Sequence, residues 1–372
     1  MKNFKALDKR RPYDVEQDIL NSWGGVQGIY EKTVAVHEKD SNFVFYDGPA
    51  FANGFPGLHH MIAKNLKDTI CKYHVMTGHK VLRKVGWDTH GLPIENHVEK
   101  KLGLKTKKDI EALGIEKFNQ TCRESVRENE AAFTDLTSKM GQFIDIEHPY
   151  LTYKNEYIET EWWILKQYFE KGLFYEGNRV TPYCPRCGTS LASHEVAQGY
   201  EDMTTDTVIV PMKSKNLDAY FLVWTTTPWT LLSNVGLCVN PKEDYILCES
   251  KGEKFILASA LADSVLQSDY TVLKTFKGTD LEHQEYEQLI PELKIEGGFF
   301  VCCDEYVTMD SGTGIVHLAP AFGEDDARVG EKYHLPYVNP VGKDGCYTEG
   351  PWKGMLVFDA DEEVIKYLKE ND

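Results

Sequence analysis

Apolar positions change their rhythm partway along this chain. Phe43-Val44-Phe45-Tyr46 is a continuous apolar and aromatic run closed by Asp47-Gly48-Pro49, which predicts a short buried strand ended by a turn. From His59 onward Ile62, Leu66, Ile70 and Tyr73 recur at helical spacing, with Gly78 placed to end the helix. Residues 108–145 and 155–171 also have an amphipathic helical pattern, the second carrying the pair Trp162-Trp163. Beyond Val180 the pattern turns to β-branched runs between Gly and Pro turns: Thr207 to Val210, Ala219 to Trp224, Tyr245 to Leu247 and Phe299 to Val301. A helical pattern returns over 361–369. Strand, turn and helix in this order open a nucleotide-binding α/β domain. The second half reads as a mostly β domain, with the boundary between 180 and 205.

Composition narrows this picture. A chain of 372 residues, 42% hydrophobic and 27% charged, has the balance of a soluble globular protein with more than one core. It has no run of membrane-spanning length and no apolar leader, and nine irregularly spaced cysteines argue for a reducing compartment. The cytoplasm is the expected location. The net charge of −17 argues against gripping nucleic acid through the overall field, so any RNA contact has to be local. The lysines at 100, 101, 105, 107 and 108 read as a solvated face.

Two stretches carry the densest chemistry. The first runs Tyr46-Asp47-Gly48-Pro49-Ala50-Phe51-Ala52-Asn53-Gly54-Phe55-Pro56-Gly57-Leu58-His59-His60, and the second is Gly86-Trp87-Asp88-Thr89-His90-Gly91-Leu92-Pro93. A helix N-terminus offers unpaired N–H groups and partial positive charge to phosphate, and histidines there add donors. Two adjacent histidines alone would mark no more than a helix cap.

Together these stretches resemble the catalytic domain of class I aminoacyl-tRNA synthetases, and within that class the isoleucyl-tRNA synthetases. The likeness extends through Leu102-Gly103-Leu104-Lys105 and Phe118 to Arg123. It implies that Pro49 lines an amino-acid pocket, that Asp88 pairs with the α-ammonium of isoleucine, and that His60 binds ATP phosphates. ATP with Mg2+, isoleucine and tRNA(Ile) are the implied substrates and partners. One departure stands out: Gly57 holds the place of the first signature histidine and His59 that of the signature glycine, giving Gly-Leu-His-His. Either the site is degraded, or His59 takes over the missing role. The altered motif resembles a variant of type 2 bacterial isoleucyl enzymes linked to mupirocin resistance, which implies that His59 also obstructs the inhibitor.

Cys184-Pro185-Arg186-Cys187 provides two corners of a tetrahedral zinc site, or a redox pair. Cys302-Cys303 are poorly spaced for the other two corners. In the family the second pair comes later, so zinc here is expected to be half-ligated and weak or absent.

Trp224-Thr225-Thr226-Thr227-Pro228-Trp229-Thr230-Leu231, Gly312 to Pro320, and Gly323-Glu324-Asp325-Asp326 resemble the editing domain inserted into isoleucyl-, valyl- and leucyl-tRNA synthetases. The need for such a domain is physical. An apolar pocket gains only about 1–3 kcal/mol from one methylene, and isoleucine against valine is the standard case. The resemblance implies that Asp326 holds the α-ammonium of the mischarged residue. Thr226, Thr227 and Asn234 would orient ester, ribose and water, while His317 and Trp229 would shape a pocket for valine. Glu324 and Asp325 read as solvated acids.

The expected fold is α/β: the first half of a Rossmann-type catalytic domain over 1–180, a zinc-knuckle half over 181–200, and a mostly β editing domain over 201–372. The expected function is ATP-dependent isoleucine–tRNA ligation with editing of Val-tRNA(Ile), by a monomer. A Lys-Met-Ser-Lys-Ser loop is not found. Met212-Lys213-Ser214-Lys215-Asn216 lies within the insertion and reads as a solvated turn. The chain is therefore expected to be an N-terminal fragment without isoleucine-dependent pyrophosphate exchange. Alternatives are a deacylase-only fragment, a valyl enzyme and a non-catalytic RNA-binding paralogue.

Overall fold

The computed structural model describes residues 9–197, 199–202 and 204–371. The chain divides into two compact units, the first running to Glu176 and the second starting at Gly177. Among the described residues no helix is long and apolar enough to cross a membrane.

In the first unit the helices α1 (Pro12–Trp23) and α2 (Gly25–Val36) precede a parallel three-stranded sheet of order β1 (Ala50–Phe51), β2 (Lys84–Asp88), β3 (Asp145–Leu151). Helix α3 (Leu58–Met76) links β1 to β2, and α4 (Leu92–Leu102), α5 (Lys107–Leu113) and α6 (Ile115–Lys139) link β2 to β3. Helix α7 (Asn155–Glu170) follows. These are parallel strands with helical crossovers, the first half of a nucleotide-binding α/β fold.

The predicted strand Phe43–Tyr46 does not form. Only Asn42 bridges to Lys80, and the chain runs extended with Val44 and Tyr46 exposed. Phe43 and Phe45 turn inward to pack on Cys71, Val75 and Val81, and this local packing takes the place of a ladder. The paired strand starts at Ala50 instead. Helix α3 is present, but Ile62, Leu66, Ile70 and Tyr73 lie on its exposed face. Its buried side carries Lys64, Cys71 and Val75.

One glycine of the second motif is dictated by packing. A Cβ at Gly86 would lie 1.9 Å from the ring of Tyr150, which covers β2 and donates from its hydroxyl to the Asp47 carbonyl at 2.8 Å.

The second unit starts with a small hairpin, β4 (Tyr183–Cys184) and β5 (Thr189–Ser190), and the short α8 (Ser193–Val196). Its main body is an eight-stranded sheet of β6 (Val208–Lys213), β7 (Tyr220–Thr225), β8 (Gly236–Val239), β9 (Asp244–Ser250), β10 (Glu253–Ala258), β11 (Thr271–Lys277), β12 (Phe300–Cys303) and β13 (Ile315–Leu318). The order is β11-β9-β10-β7-β13-β8-β12, with β6 antiparallel along β7. Helices α9 (Ala262–Leu266), α10 (Glu324–Tyr333) and α11 (Asp361–Glu370) complete the unit. The strand patterns of the sequence lie within β6, β7, β9 and β12 or at most one residue outside them. Helix α10 was not expected, because three acids at its start hide the apolar period. In the Met212–Asn216 stretch Lys213, Lys215 and Asn216 are exposed where the chain turns from β6 to β7, while Met212 is buried at the end of β6 and Ser214 is buried with its hydroxyl accepting from the Asn216 and Leu217 amides.

Candidate functional site

In the first unit the candidate residues gather at the carboxyl ends of β1 and β2, where open α/β sheets bind ligands. Phe51 and Asp88 are ladder partners, and the Ala52 amide donates to the Asp88 carbonyl at 3.0 Å. From α6 the buried Asn129 donates to the Ala52 carbonyl at 2.9 Å, fixing the strand exit from a second side. Thr89 shares a 2.9 Å hydroxyl contact with Thr152, which holds the exits of β2 and β3 together. Pro49 and Asp88 are half-buried at this edge.

The loop after β1 ends at Gly57, the N-cap of α3, whose amide donates to His60 Nδ1 at 3.0 Å. With Nδ1 accepting, the neutral ring carries its proton on Nε2, the nitrogen left to donate outward. Burial, then His59 and Lys64, lower the His60 pKa and favour that neutral form. His60 stands edge-on to Phe133 at 4.9 Å, and Phe133 lies 5.2 Å from Trp87. His59 is exposed, its ring centroid 3.9 Å from that of His60. A Cβ at Gly57 would come within 2.9 Å of His59 Cε1, so the second imidazole fills the space where a side chain at 57 would begin. Lys64, one turn further, is buried with its ammonium 5.7 Å over Trp87. Asn129, Phe133, Thr152 and Lys64 carry no motif signal and were not anticipated, although Lys64 is four residues beyond His60 and so on its face.

The second unit contains a cavity of about 220 Å3 between the end of β7, β13 and the start of α10. Thr226, Thr227, His317 and Asp326 of the sequence-derived set line it, joined by Trp224, Thr225, Thr230, Ala319, Phe322 and Gly323. Gly312 and Gly314 both have positive φ. A Cβ at Gly312 would lie 2.8 Å from the Trp224 ring, and one at Gly314 2.4 Å from Ala258 Cβ, which accounts for the Gly-Thr-Gly of the motif.

His317 is buried, and its Nε2 lies 3.0 Å from Thr230 Oγ1. The Thr230 hydroxyl makes a shorter 2.8 Å bond to the Thr227 carbonyl, which can only accept. The Thr230 proton therefore goes there, Nε2–H donates to Thr230, and Nδ1 remains a buried acceptor without a partner among the described residues. Burial lowers the His317 pKa to about 4, so the ring is neutral at neutral pH.

Asp326 lies in the first turn of α10, with Oδ2 accepting from the Ala319 amide at 3.0 Å. Burial raises its pKa to about 6, against the Ala319 hydrogen bond. Its neighbour Asp325 is exposed and paired with Arg328 at 3.0 Å.

Two expected members do not line this cavity. Asn234 is buried elsewhere, with Oδ1 accepting from Tyr286 Oη at 2.6 Å and Nδ2 donating to the Gly236 carbonyl at 2.9 Å. Both atoms of its side-chain amide are hydrogen-bonded within the core. Trp229 stands one layer back, edge-on to the cavity residue Phe322 at 5.0 Å. Its amide donates to Asp361 Oδ1 at 2.8 Å and its carbonyl accepts from Tyr347 Oη at 2.6 Å.

Cys184 and Cys187 are free thiols on the β4–β5 turn, the Cys187 amide lying 3.4 Å from Cys184 Sγ. Among the described residues no third Cys, His, Asp or Glu joins them into a metal-binding group. The residues present do not complete a structural zinc site.

Residues 18–307 match the family described as tRNA synthetases class I (I, L, M and V). The isoleucine–tRNA ligase of Clostridium novyi is 48% identical over 362 residues, which is 96% of this chain and 35% of that protein. The isoleucine–tRNA ligase of Picrophilus torridus is 47% identical over 363 residues, with the same shares. Isoleucine–tRNA ligase 2 of Bacillus anthracis is 44% identical over 360 residues, again 96% of this chain and 35% of that protein. The chain thus spans about a third of the length of the curated relatives it matches. The family match covers both the nucleotide-type sheet edge and most of the unit that holds the threonine cavity, and the chain belongs to the class I tRNA synthetases of the I, L, M and V group.

Proposed function

We propose that this chain is part of an isoleucine–tRNA ligase, and that its second unit hydrolyses Val-tRNA(Ile). The observation that carries this reading is the cavity itself, where one half-buried carboxylate, a neutral imidazole and a threonine cluster face a space of about 220 Å3. In its ionised form Asp326 binds the α-ammonium of the misplaced valine. Thr226 and Thr227 hold the ester and the terminal ribose, and a positioned water attacks the ester carbonyl. The acyl C–O bond to the ribose breaks, the ribose oxygen takes a proton, and valine and tRNA leave. His317, neutral and anchored by Thr230, limits the pocket to the smaller side chain.

The test is deacylation of Val-tRNA(Ile) against Ile-tRNA(Ile) by this chain. Hydrolysis of the valyl ester, and its loss in Asp326→Ala with the fold retained, is the expected result. Hydrolysis indifferent to Asp326 overturns the reading. The second unit has a lined cavity of its own, which favours deacylation as the activity of this chain in isolation.

For the first unit the proposed role is to bind isoleucine at Asp88 and Pro49, and the phosphates of ATP, with its Mg2+, at Gly57 and His60. The His59 ring occupies the space beside Gly57, and this supports the swapped-histidine reading over a degraded site. In a longer enzyme, Gly57→His with His59→Gly is expected to raise mupirocin affinity, and unchanged inhibition overturns that role. The proposed setting is cytoplasmic and monomeric, which gel filtration of the chain tests for its oligomeric state.

A further inference from the structure

The cavity carboxylate has a neighbour that neither the motifs nor the lining residues include. Tyr306 precedes β13, its hydroxyl is buried, and among the described residues it has no partner at hydrogen-bonding geometry. A buried hydroxyl left without an acceptor costs about 1–3 kcal/mol, so its retention needs an explanation. The ring is held firmly. Its amide donates to Asp304 Oδ1 at 3.2 Å, and Asp304 takes two 2.9 Å bonds from Arg328, whose guanidinium lies 6.0 Å over the Tyr306 ring. Arg328 is two residues beyond Asp326 on α10, so the same clamp ties the tyrosine to the helix that bears the carboxylate. One Asp326 oxygen already accepts from Ala319, leaving the other with a free lone-pair direction.

We infer that Tyr306 is a positioning residue of the deacylation site, its hydroxyl serving as the second donor to Asp326 and holding the carboxylate toward the substrate ammonium. This rests on the deacylase reading above. The electrostatics run in the same direction. Burial and the Asp325 charge raise the Asp326 pKa, while the phenol and the Ala319 amide lower it. The other titratable groups around this pair are Arg328 and Asp304, already paired with each other, the neutral His317 on β13, and Cys238 on β8, whose thiol burial keeps protonated. Tyr306 is thus the group outside the backbone that favours the anion an ammonium needs.

The experiment uses this chain with Val-tRNA(Ile), comparing parent, Tyr306→Phe and Asp326→Asn between pH 5 and 8. Tyr306→Phe keeps the ring and its packing and removes only the hydroxyl, so its melting temperature should stay near the parent's. Its kcat/KM at pH 6.5 should fall about ten-fold, the scale of a hydrogen bond to a charged group. The acid limb of its pH profile should move upward, and the deficit should narrow toward pH 8. An unmoved acid limb, with Asp326→Asn inactive, overturns the inference and leaves the deacylase reading intact. Full activity in Asp326→Asn overturns both.

Discussion

Thr230 and His317 meet at 3.0 Å inside the second unit, and the hydroxyl fixes which imidazole nitrogen carries the proton. Thr230→Val keeps the shape and removes the acceptor, leaving both ring nitrogens buried without partners. The expected outcome is a loss of about 1–3 kcal/mol of stability, with slower Val-tRNA(Ile) hydrolysis. Chemical denaturation of the second unit checks it, and an unchanged midpoint would rule out the assigned tautomer.

The pH dependence follows from two groups with opposite shifts. Asp326 sits at about 6, above its ordinary value, so deacylation should climb as pH rises through that value and the carboxylate forms. For stability, this raised carboxyl favours the folded state at acid pH, and the contribution is lost as pH rises through about 6. His317, lowered to about 4, contributes stability above about 6.5 that is lost as pH falls toward 4. Deacylation and melting profiles should therefore diverge between pH 5 and 7, activity rising more steeply than stability.

Gly323 caps α10 beside the Asp326 carboxylate. A Cβ there would lie 2.7 Å from the Asp326 carboxyl carbon. Gly323→Ala should leave the fold near parent stability, since its φ of −123° suits any residue, yet lower deacylation by displacing Asp326. Parent-like kinetics in this variant would show that the carboxylate tolerates the shift.

Gly86 makes the parallel case in the first unit. Gly86→Ala drives a methyl into the Tyr150 ring and is expected to destabilise that unit by about 1–3 kcal/mol. Adding Tyr150→Ala should return part of the loss. A double variant less stable than Gly86→Ala alone would refute the steric account.

Zinc makes a clear test because two thiols cannot close a tetrahedron. The chain is expected to keep its melting temperature in the presence of a strong chelator and to retain less than one equivalent of zinc after gel filtration. Tight stoichiometric zinc would reveal ligands beyond Cys184 and Cys187.

Much of the fold was legible because the strands of the second unit have uninterrupted β-branched cores and the helices of the first have clear periods. The failures have identifiable physical causes. Phe43–Tyr46 has the composition of a strand, but its aromatic rings satisfy themselves against α3 and leave no ladder to join. Asn234 sits one turn beyond the threonine run, a position that suggests the cavity, yet Tyr286 claims its amide from 52 residues away. Tyr306 and Asn129 carry no local signal, since their roles exist only once distant segments meet. Asp326 is set apart from Asp325 in the sequence by its distance from His317, and in the fold it is half-buried and lines the cavity while Asp325 is exposed.

The bonds that fix Trp229 come from Tyr347 and Asp361, 118 and 132 residues later in the chain. They set an order of events during synthesis. The threonine turn leaves the ribosome well before α11, so the bonds that hold Trp229 behind the cavity close only after Tyr347 and Asp361 have followed it. Long-range closure of this kind is slow to nucleate, and it makes α11 a latch on residues far upstream.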